Sequence, residues 1–274
     1  MSFPVNFVNI EIQSQRVERI DAPLFALPHL EVKEDDFFLD ARNIACYRAQ
    51  NGHKISLYPY PEADPNSVNL FLNGSVLGAI LHQRGILPFH GSSFVYKGQG
   101  IIICGVSGAG KSSVTAAFCQ QGGQFLTDDI TPVNVIDKES KIIPIKTRLK
   151  LWDNSVQQLS IENQALERIR PMLDKFYLPN FESELTEQRL DQIIILNTHN
   201  KEGFEHTELS GVEKYNALRL QIYRKNFLKG MPETAKRYFG QLLRLASQVK
   251  VSQVARPQIC NICETLEFIQ KEVL

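Results

Sequence analysis

The chain has 274 residues and a formal net charge of +0 at pH 7, with 30 Lys+Arg against 30 Asp+Glu. That length buries roughly three quarters of the surface the unfolded chain exposes, so no metal or disulfide staple is required. The balanced charge argues against a surface that wraps nucleic acid, and no stretch approaches the ~20 apolar residues of a membrane span.

The opening run, MSFPVNFVNIEIQSQ, lacks the basic-then-apolar order of a secretory signal. Residues 1–60 read as strands. Ile44–Gln50 and His53–Tyr58 flank Asn51-Gly52, a two-residue hairpin signal. A helix follows, capped by Asp64, with Pro65 in its first turn and Gly85 at its end. Its apolar face is Val68, Leu72, Leu77, Ile80 and Leu81.

Next comes LPFHGSSFVYKGQGIIICGVS, two β-rich runs around Lys97-Gly98-Gln99-Gly100. A hairpin turning on Gly98-Gln99 places His90 opposite Ser107. Ser112–Gln121 reads as a helix ended by Gly122-Gly123, and Gln124–Thr127 as a strand ending in Asp128-Asp129. Strand, loop, helix and strand predict a βαβ unit with parallel pairing. Farther on, helices are expected at Ser155–Arg168, from a capping box at Ser210 and Glu213 to about Leu228, after Pro232, and from about Asn261. Strands are expected at Gln192–Leu196 and Val251–Val254.

Between the predicted strand Ile101–Cys104 and the helix lies GVSGAGKS, residues 105–112, which fits G-x-x-x-x-G-K-[ST]. Gly105, Gly108 and Gly110 allow the backbone angles that turn successive N–H groups toward an anion. Those donors and the helix N-terminus form a phosphate cradle. Lys111 reaches the β- and γ-phosphates, and Ser112 supplies a hydroxyl to Mg²⁺. Ser107, Ala109 and Ser113 complete the expected nucleotide-binding set. A nucleotide site of this kind needs an acid at a strand end. Asp128-Asp129 supplies two, enough to divide metal binding from proton acceptance. His90, at the mouth of the loop, is positioned to act on a phosphate or to orient a carboxylate.

The run HGSSFVYKGQGIIICGVSGAGKSSVTAAFCQQGGQFLTDD resembles the core of HPr kinase/phosphorylase. His90, the Walker A loop Gly105–Ser112 and the Asp128-Asp129 pair match that family in order. LPFHGSS, RLKLWDNS, DKFYLP, IYRKNF and Arg256-Pro257 are similar to the diverse HPr-kinase-like proteins of bacteria, some of which phosphorylate a serine of a precursor peptide. The resemblance implies an α/β fold with a phosphoenolpyruvate-carboxykinase-like P-loop kinase core at 86–274, a helical C-terminal portion and a small β-rich N-terminal part at 1–85. It implies an ATP- and Mg-dependent serine kinase in which Asp128 is the base on the acceptor hydroxyl, and Asp129 supports it and the metal. It leaves a homo-oligomer open, since typical members assemble into rings.

The second glycine-rich signature of that family does not occur between Asp129 and Ser210, and Ser113 stands where typical members have Glu. The expected acceptor is therefore a serine of a peptide or protein other than HPr, with no nucleic acid and no membrane among the partners. A small-molecule kinase acting on free serine or a metabolite stays open, as does an ATP-binding regulator without phosphoryl transfer.

Lys150, Lys175, Arg224 and Arg256 are cations in the family-like segments. Each offers charge for a transferring phosphoryl group or sits as a solvated surface charge, with Arg224 and Lys175 preferred for the functional role. Cys260-Asn-Ile-Cys263 is a single CxxC without a second half-site, and is read as coincidence. His199 and His206 have no recognisable partner ligands, and Trp152 is read as packing. Five cysteines, an odd count with Cys46, Cys104 and Cys119 in apolar surroundings, read as a reducing, cytoplasmic protein.

Overall fold

A computed structural model describes residues 10–145, 147–162, 166–170, 173–178 and 186–274. The protein is mixed α/β, and its contacts group it into two units: Met1–Pro88 with Ile222–Gln241, and Phe89–Gln221 with Leu242–Leu274. The segment 222–241, which the sequence reading assigned to the core, thus groups with the N-terminal part. Among the described residues, no helix is long and apolar enough to cross a membrane.

The first unit is built on a six-stranded sheet. Leu30–Lys33, Asp36–Ala41, Ala45–Gln50 and Lys54–Pro59 form an antiparallel meander. Phe25–Leu27 is added antiparallel at one edge, and Glu11–Ser14 is added parallel at the other. Asn51 and Gly52 both have positive φ, as their turn requires, but Gln50 pairs with Lys54, so His53 also belongs to the loop. Asp64 caps the helix Pro65–Phe71 by accepting from the Ser67 N–H at 2.8 Å. A π-helical segment, Leu72–Val76, carries it into Leu77–Gln83, and all five predicted apolar residues are buried. Val68, Leu72, Val76 and Ile80 pack with Val32, Phe37, Tyr47 and Ile55 of the sheet. Each large side chain so buried contributes about 1.5–3 kcal/mol.

The second unit centres on a mixed sheet in the order Gln124–Thr127, Gly91–Tyr96, Gln99–Gly105, Gln192–His199, Lys250–Pro257, Glu205–Glu208. The helix Lys111–Gln120 leaves the glycine loop and packs on this sheet, with Phe118 stacked on Phe94 at 4.7 Å between ring centroids. The helix Ile262–Glu272 adds Leu266 and Ile269 to the same core. A smaller sheet holds Thr131–Val135, Ser140–Ile142 and Gln188–Arg189, and Lys150–Trp152 pairs with Lys175–Tyr177.

Several local expectations change in the folded chain. Gln99–Gly105 and Gln124–Thr127 run parallel but do not pair. Gly91–Tyr96 lies between them, antiparallel to both, and the parallel partner of Gln99–Gly105 is Gln192–His199. The hairpin turns on Lys97-Gly98, both at positive φ, because Tyr96 pairs with Gln99. Gly91 faces Cys104, so the register carries His90 to Gly105 rather than to Ser107.

The helix expected at Ser155–Arg168 is Asp153–Gln158, and Ser160 follows at φ 52; residues 163–165 of that expectation lie outside the described ones. The long helix expected to Leu228 is Gly211–Leu220, followed by a 3₁₀ segment, Lys225–Gly230. Arg224 takes a left-handed conformation between them, and Ser210 makes no side-chain cap. A capping box does form at Asn261 and Glu264, where the last helix was placed. The two late strands are longer than expected, Gln192–His199 and Lys250–Pro257, because they pair with each other over their full length.

Candidate functional site

The strand Gln99–Gly105 delivers the glycine loop to one end of the sheet. At Gly105, with φ +143°, a Cβ would stand 2.4 Å from the Leu196 carbonyl oxygen of the neighbouring strand, so only glycine lets the two backbones approach. Gly110, at φ +102°, starts the helix without a side-chain cap, which leaves the first helical N–H groups for a ligand. Ser107, Gly108, Gly110, Lys111, Ser112 and Ser113 line a cleft of about 360 Å³. Gly105 and Ala109 do not line it. Ala109 is buried, and its N–H donates to the Val106 carbonyl at 3.1 Å.

Lys111 is 9% exposed. Its Nζ donates to the carbonyls of Gly105 at 3.0 Å and Val106 at 3.2 Å and lies 3.3 Å from His90 Nε2. Burial lowers its pKa, while the negative charges of Asp129 and Asp128 act in the other direction. The ammonium is therefore held folded back on the loop.

His90 bridges the lysine and the acid pair. Its Nδ1 is 3.1 Å from the Asp129 carbonyl oxygen and 3.6 Å from Asp129 Oδ1. The carbonyl can only accept, so Nδ1 carries the proton and Nε2 offers its lone pair to Lys111. Burial lowers the pKa of this imidazole, the nearby ammonium of Lys111 lowers it further, and Asp129 opposes both. The ring is neutral at pH 7, in agreement with that tautomer.

The two aspartates have different surroundings. Asp128 is 3% exposed. Its Oδ1 accepts from the Ser112 hydroxyl at 2.6 Å, and its Oδ2 accepts from the Lys150 backbone N–H at 3.1 Å. Asp129 has positive φ, 73°, and does not share those partners. Its carboxylate is 41% exposed in the cleft, with Oδ2 3.9 Å from Lys150 Nζ. Desolvation in the cleft raises its pKa, but Lys150, His90, Lys175 and Lys111 together outweigh that and hold it below the usual carboxylate value.

Ser112 and Asp128 offer two hard oxygen ligands at the start of the cradle, the donor type that Mg²⁺ takes together with phosphate oxygens and water. They fit the cation expected there. Among the described residues, no group of three or more His, Cys, Asp and Glu side chains could hold a metal by itself.

Of the four cations singled out from the sequence, Lys150, Lys175 and Arg256 line the cleft. Arg224, one of the two preferred, does not; it belongs to the other unit and lies 5.4 Å from the Tyr223 ring. Trp152, expected to be packing, is 49% exposed and lines the cleft, with Lys175 Nζ 5.5 Å from its ring centroid. Cys260 also lines it and accepts from Arg256. His199 Nδ1 accepts from the Lys201 N–H at 3.2 Å. Ser155, Gln158, Gln258 and Thr265 were not foreseen. The helix Asp153–Gln158, the loop after Lys250–Pro257 and the helix Ile262–Glu272 bring them in from segments that carry no phosphate-binding pattern.

No family model matches the chain, and no curated protein matches it. Among solved structures, the Hpr(Ser) kinase/phosphatase from Coxiella burnetii is similar over 67% of this chain and 90% of its own, with 12% sequence identity and a TM-score of 0.34.

Proposed function

We propose that this protein is an ATP- and Mg-dependent kinase that transfers the γ-phosphoryl group to a hydroxyl, that of a serine in a peptide or protein other than HPr. The observation that carries this reading is the unequal pair at the end of Gln124–Thr127. One carboxylate is tied to the P-loop serine at 2.6 Å, and the next lies open in the cleft beside a neutral histidine. A protein that only binds nucleotide has no use for the second acid in that position. The phosphoenolpyruvate-carboxykinase-like core remains part of the proposal, supported by the order of His90, the loop and the acid pair along this sheet.

In this reading the loop N–H groups and Lys111 bind the donor phosphates. Ser112 and Asp128 hold Mg²⁺, which neutralises charge on the phosphate oxygens. Asp129 orients the acceptor hydroxyl and takes its proton. The acceptor oxygen forms its bond to the γ-phosphorus as the bond to the β-bridging oxygen breaks, and that electron pair leaves with ADP. His90 holds Asp129 and Lys111 in register through its two ring nitrogens. The roles of the aspartates are thus the reverse of those implied by the family resemblance. Asp128 is already engaged through both oxygens, whereas Asp129 has its carboxylate in the cleft. Trp152, half exposed at the rim, supports a peptide acceptor by giving it an apolar surface to lie on.

The test is ³¹P NMR of the protein with ATP, Mg²⁺ and host-cell extract as the acceptor pool. A new phosphomonoester signal that vanishes in Asp129→Asn is the expected result. ATP bound with no phosphoester from any acceptor pool would replace the kinase with a nucleotide-binding regulator.

A further inference from the structure

Arg256 stands near the end of Lys250–Pro257, two strands away from the strand that feeds the glycine loop. Parallel pairing sets Leu196 against Gly105 and Thr198 against Arg256, so Arg256 lies at the same end of the sheet as the glycine loop. The guanidinium reaches across to the loop. Its Nε donates to the Ala109 carbonyl at 3.0 Å, and its Nη1 donates to the Pro257 carbonyl at 3.3 Å and to Cys260 Sγ at 3.1 Å. Its Nη2 comes nearest to Gly110, 3.4 Å from where a Cβ would stand.

Those three partners are two backbone carbonyls and a cysteine sulfur, and among the described residues no carboxylate pairs with this arginine. A half-buried cation with no counter-charge is costly to maintain. The fold nevertheless fixes one edge of the guanidinium with backbone and thiol acceptors and leaves the Nη2 edge beside the cradle. A planar, permanently charged fork held in this way is suited to phosphate oxygens. The other cations of the cleft are engaged differently. Lys111 is folded onto the Gly105 and Val106 carbonyls, Lys150 faces Asp129, and Lys175 lies over the Trp152 ring.

We infer that Arg256 is a donor-phosphate ligand supplied from within the chain, which contacts the phosphate oxygens of a bound nucleoside triphosphate over Gly110 and offsets the charge that moves onto them during transfer. The proposal rests on the reading of the cleft as a nucleotide site, and it extends that reading to a residue outside the loop motif.

ATP affinity and phosphoryl transfer are measured separately on the full chain. Equilibrium titration of ATP with Mg²⁺ is compared for wild type, Arg256→Ala and Arg256→Lys, each first shown by thermal melting to fold. The expected result is ATP binding weakened about tenfold or more in Arg256→Ala, with only part recovered in Arg256→Lys, which restores a charge but not the fork. Where transfer is measurable, kcat in Arg256→Ala falls about 10³-fold, the lower end of what an arginine at a transferring phosphoryl provides. If Arg256→Ala fails to fold, Arg256→Lys carries the test, with an expected loss in affinity of about threefold or more. ATP affinity and turnover within twofold of wild type in the variant that folds would overturn the proposal and leave the kinase reading standing. ATP binding that depends on Arg256 without phosphoryl transfer to any acceptor would do the opposite. A wild-type chain that binds no ATP would overturn both.

Discussion

Ser112 and Asp128 meet at 2.6 Å across the gap between the start of one helix and the end of the strand that follows it. They are 16 positions apart in the chain. The strand Gly91–Tyr96, inserted between the loop strand and Gln124–Thr127, sets the lateral distance that brings them together. Asp129, the next residue, has positive φ and faces His90 and Lys150 instead.

This arrangement separates the effects of the two acids. Asp129→Asn should retain MgATP binding within about threefold and lose roughly 10²–10⁴-fold in kcat, the usual contribution of a positioned base. Asp128→Asn should weaken binding of MgATP while leaving metal-free ATP much less affected. Titrations with Mg²⁺ and with EDTA, run beside a transfer assay, read both. The opposite pattern would restore the assignment implied by the family resemblance.

The pH dependence follows from the two shifted groups. Asp129 is held ionised to below the usual carboxylate range, so it does not set the acid limit near pH 6. The His90 pKa is also lowered, from 6.5, and its protonation removes the lone pair that faces Lys111. The acid limb of kcat/KM in wild type should therefore reflect His90, lie below pH 6.5, and move to lower pH in His90→Gln. A limb at the same pH in both proteins would remove His90 from this role.

Gly105→Ala tests the close approach at the mouth of the loop. A Cβ there meets a backbone oxygen at 2.4 Å, and the residue sits at a φ that side chains avoid. The expected cost is about 3 kcal/mol or more. The single tryptophan, Trp152, lies in the same unit, so its fluorescence in a urea melt reports the loss. A midpoint unchanged from wild type would contradict the packing described.

His82, buried in the first unit, gives that unit an acid sensitivity unrelated to the cleft. Nε2 is 2.9 Å from the Tyr223 carbonyl oxygen and Nδ1 is 3.1 Å from the Tyr238 hydroxyl. Burial pushes its pKa down to about 4, with the Tyr223 carbonyl acting weakly the other way. The unfolded chain therefore binds a proton between pH 6.5 and about 4 that the folded chain refuses, and stability falls with pH across that window. Between pH 6.5 and 5 the loss is roughly 2 kcal/mol from this group. Hydrogen exchange of Leu77–Gln83 at the two pH values should show a steeper acid loss in wild type than in His82→Gln. Equal slopes would contradict it.

The elements with strong local chemistry were legible without the fold. The glycine loop, the helix cap at Asp64, the strand Gln124–Thr127 and the acid pair stand where the sequence places them, because each is specified by residues close together in the chain. Two of the failures show the reason. Ser210 and Glu213 satisfy a capping pattern that the chain does not form, and the helix it opens ends early at a left-handed Arg224. In that stretch the local rule competes with tertiary placement and loses. The hairpin register slipped by two residues because Lys97-Gly98 and Gly98-Gln99 are both acceptable turns, and pairing along the whole strand, not the turn alone, chooses between them.

The sequence by itself determined that a glycine-rich loop joins a strand to a helix, that Lys111 and Ser112 open that helix, and that two adjacent acids and a histidine belong near it. Those statements depend on short-range backbone freedom and on residue type. The tertiary structure decided which aspartate bonds to Ser112, which tautomer His90 takes, that Arg256 rather than Arg224 enters the cleft, and that Trp152 lines it. Each depends on how strands far apart in the chain are ordered and paired. One strand inserted into the sheet or one step of register moves a side chain by several ångströms, more than the reach of a hydrogen bond.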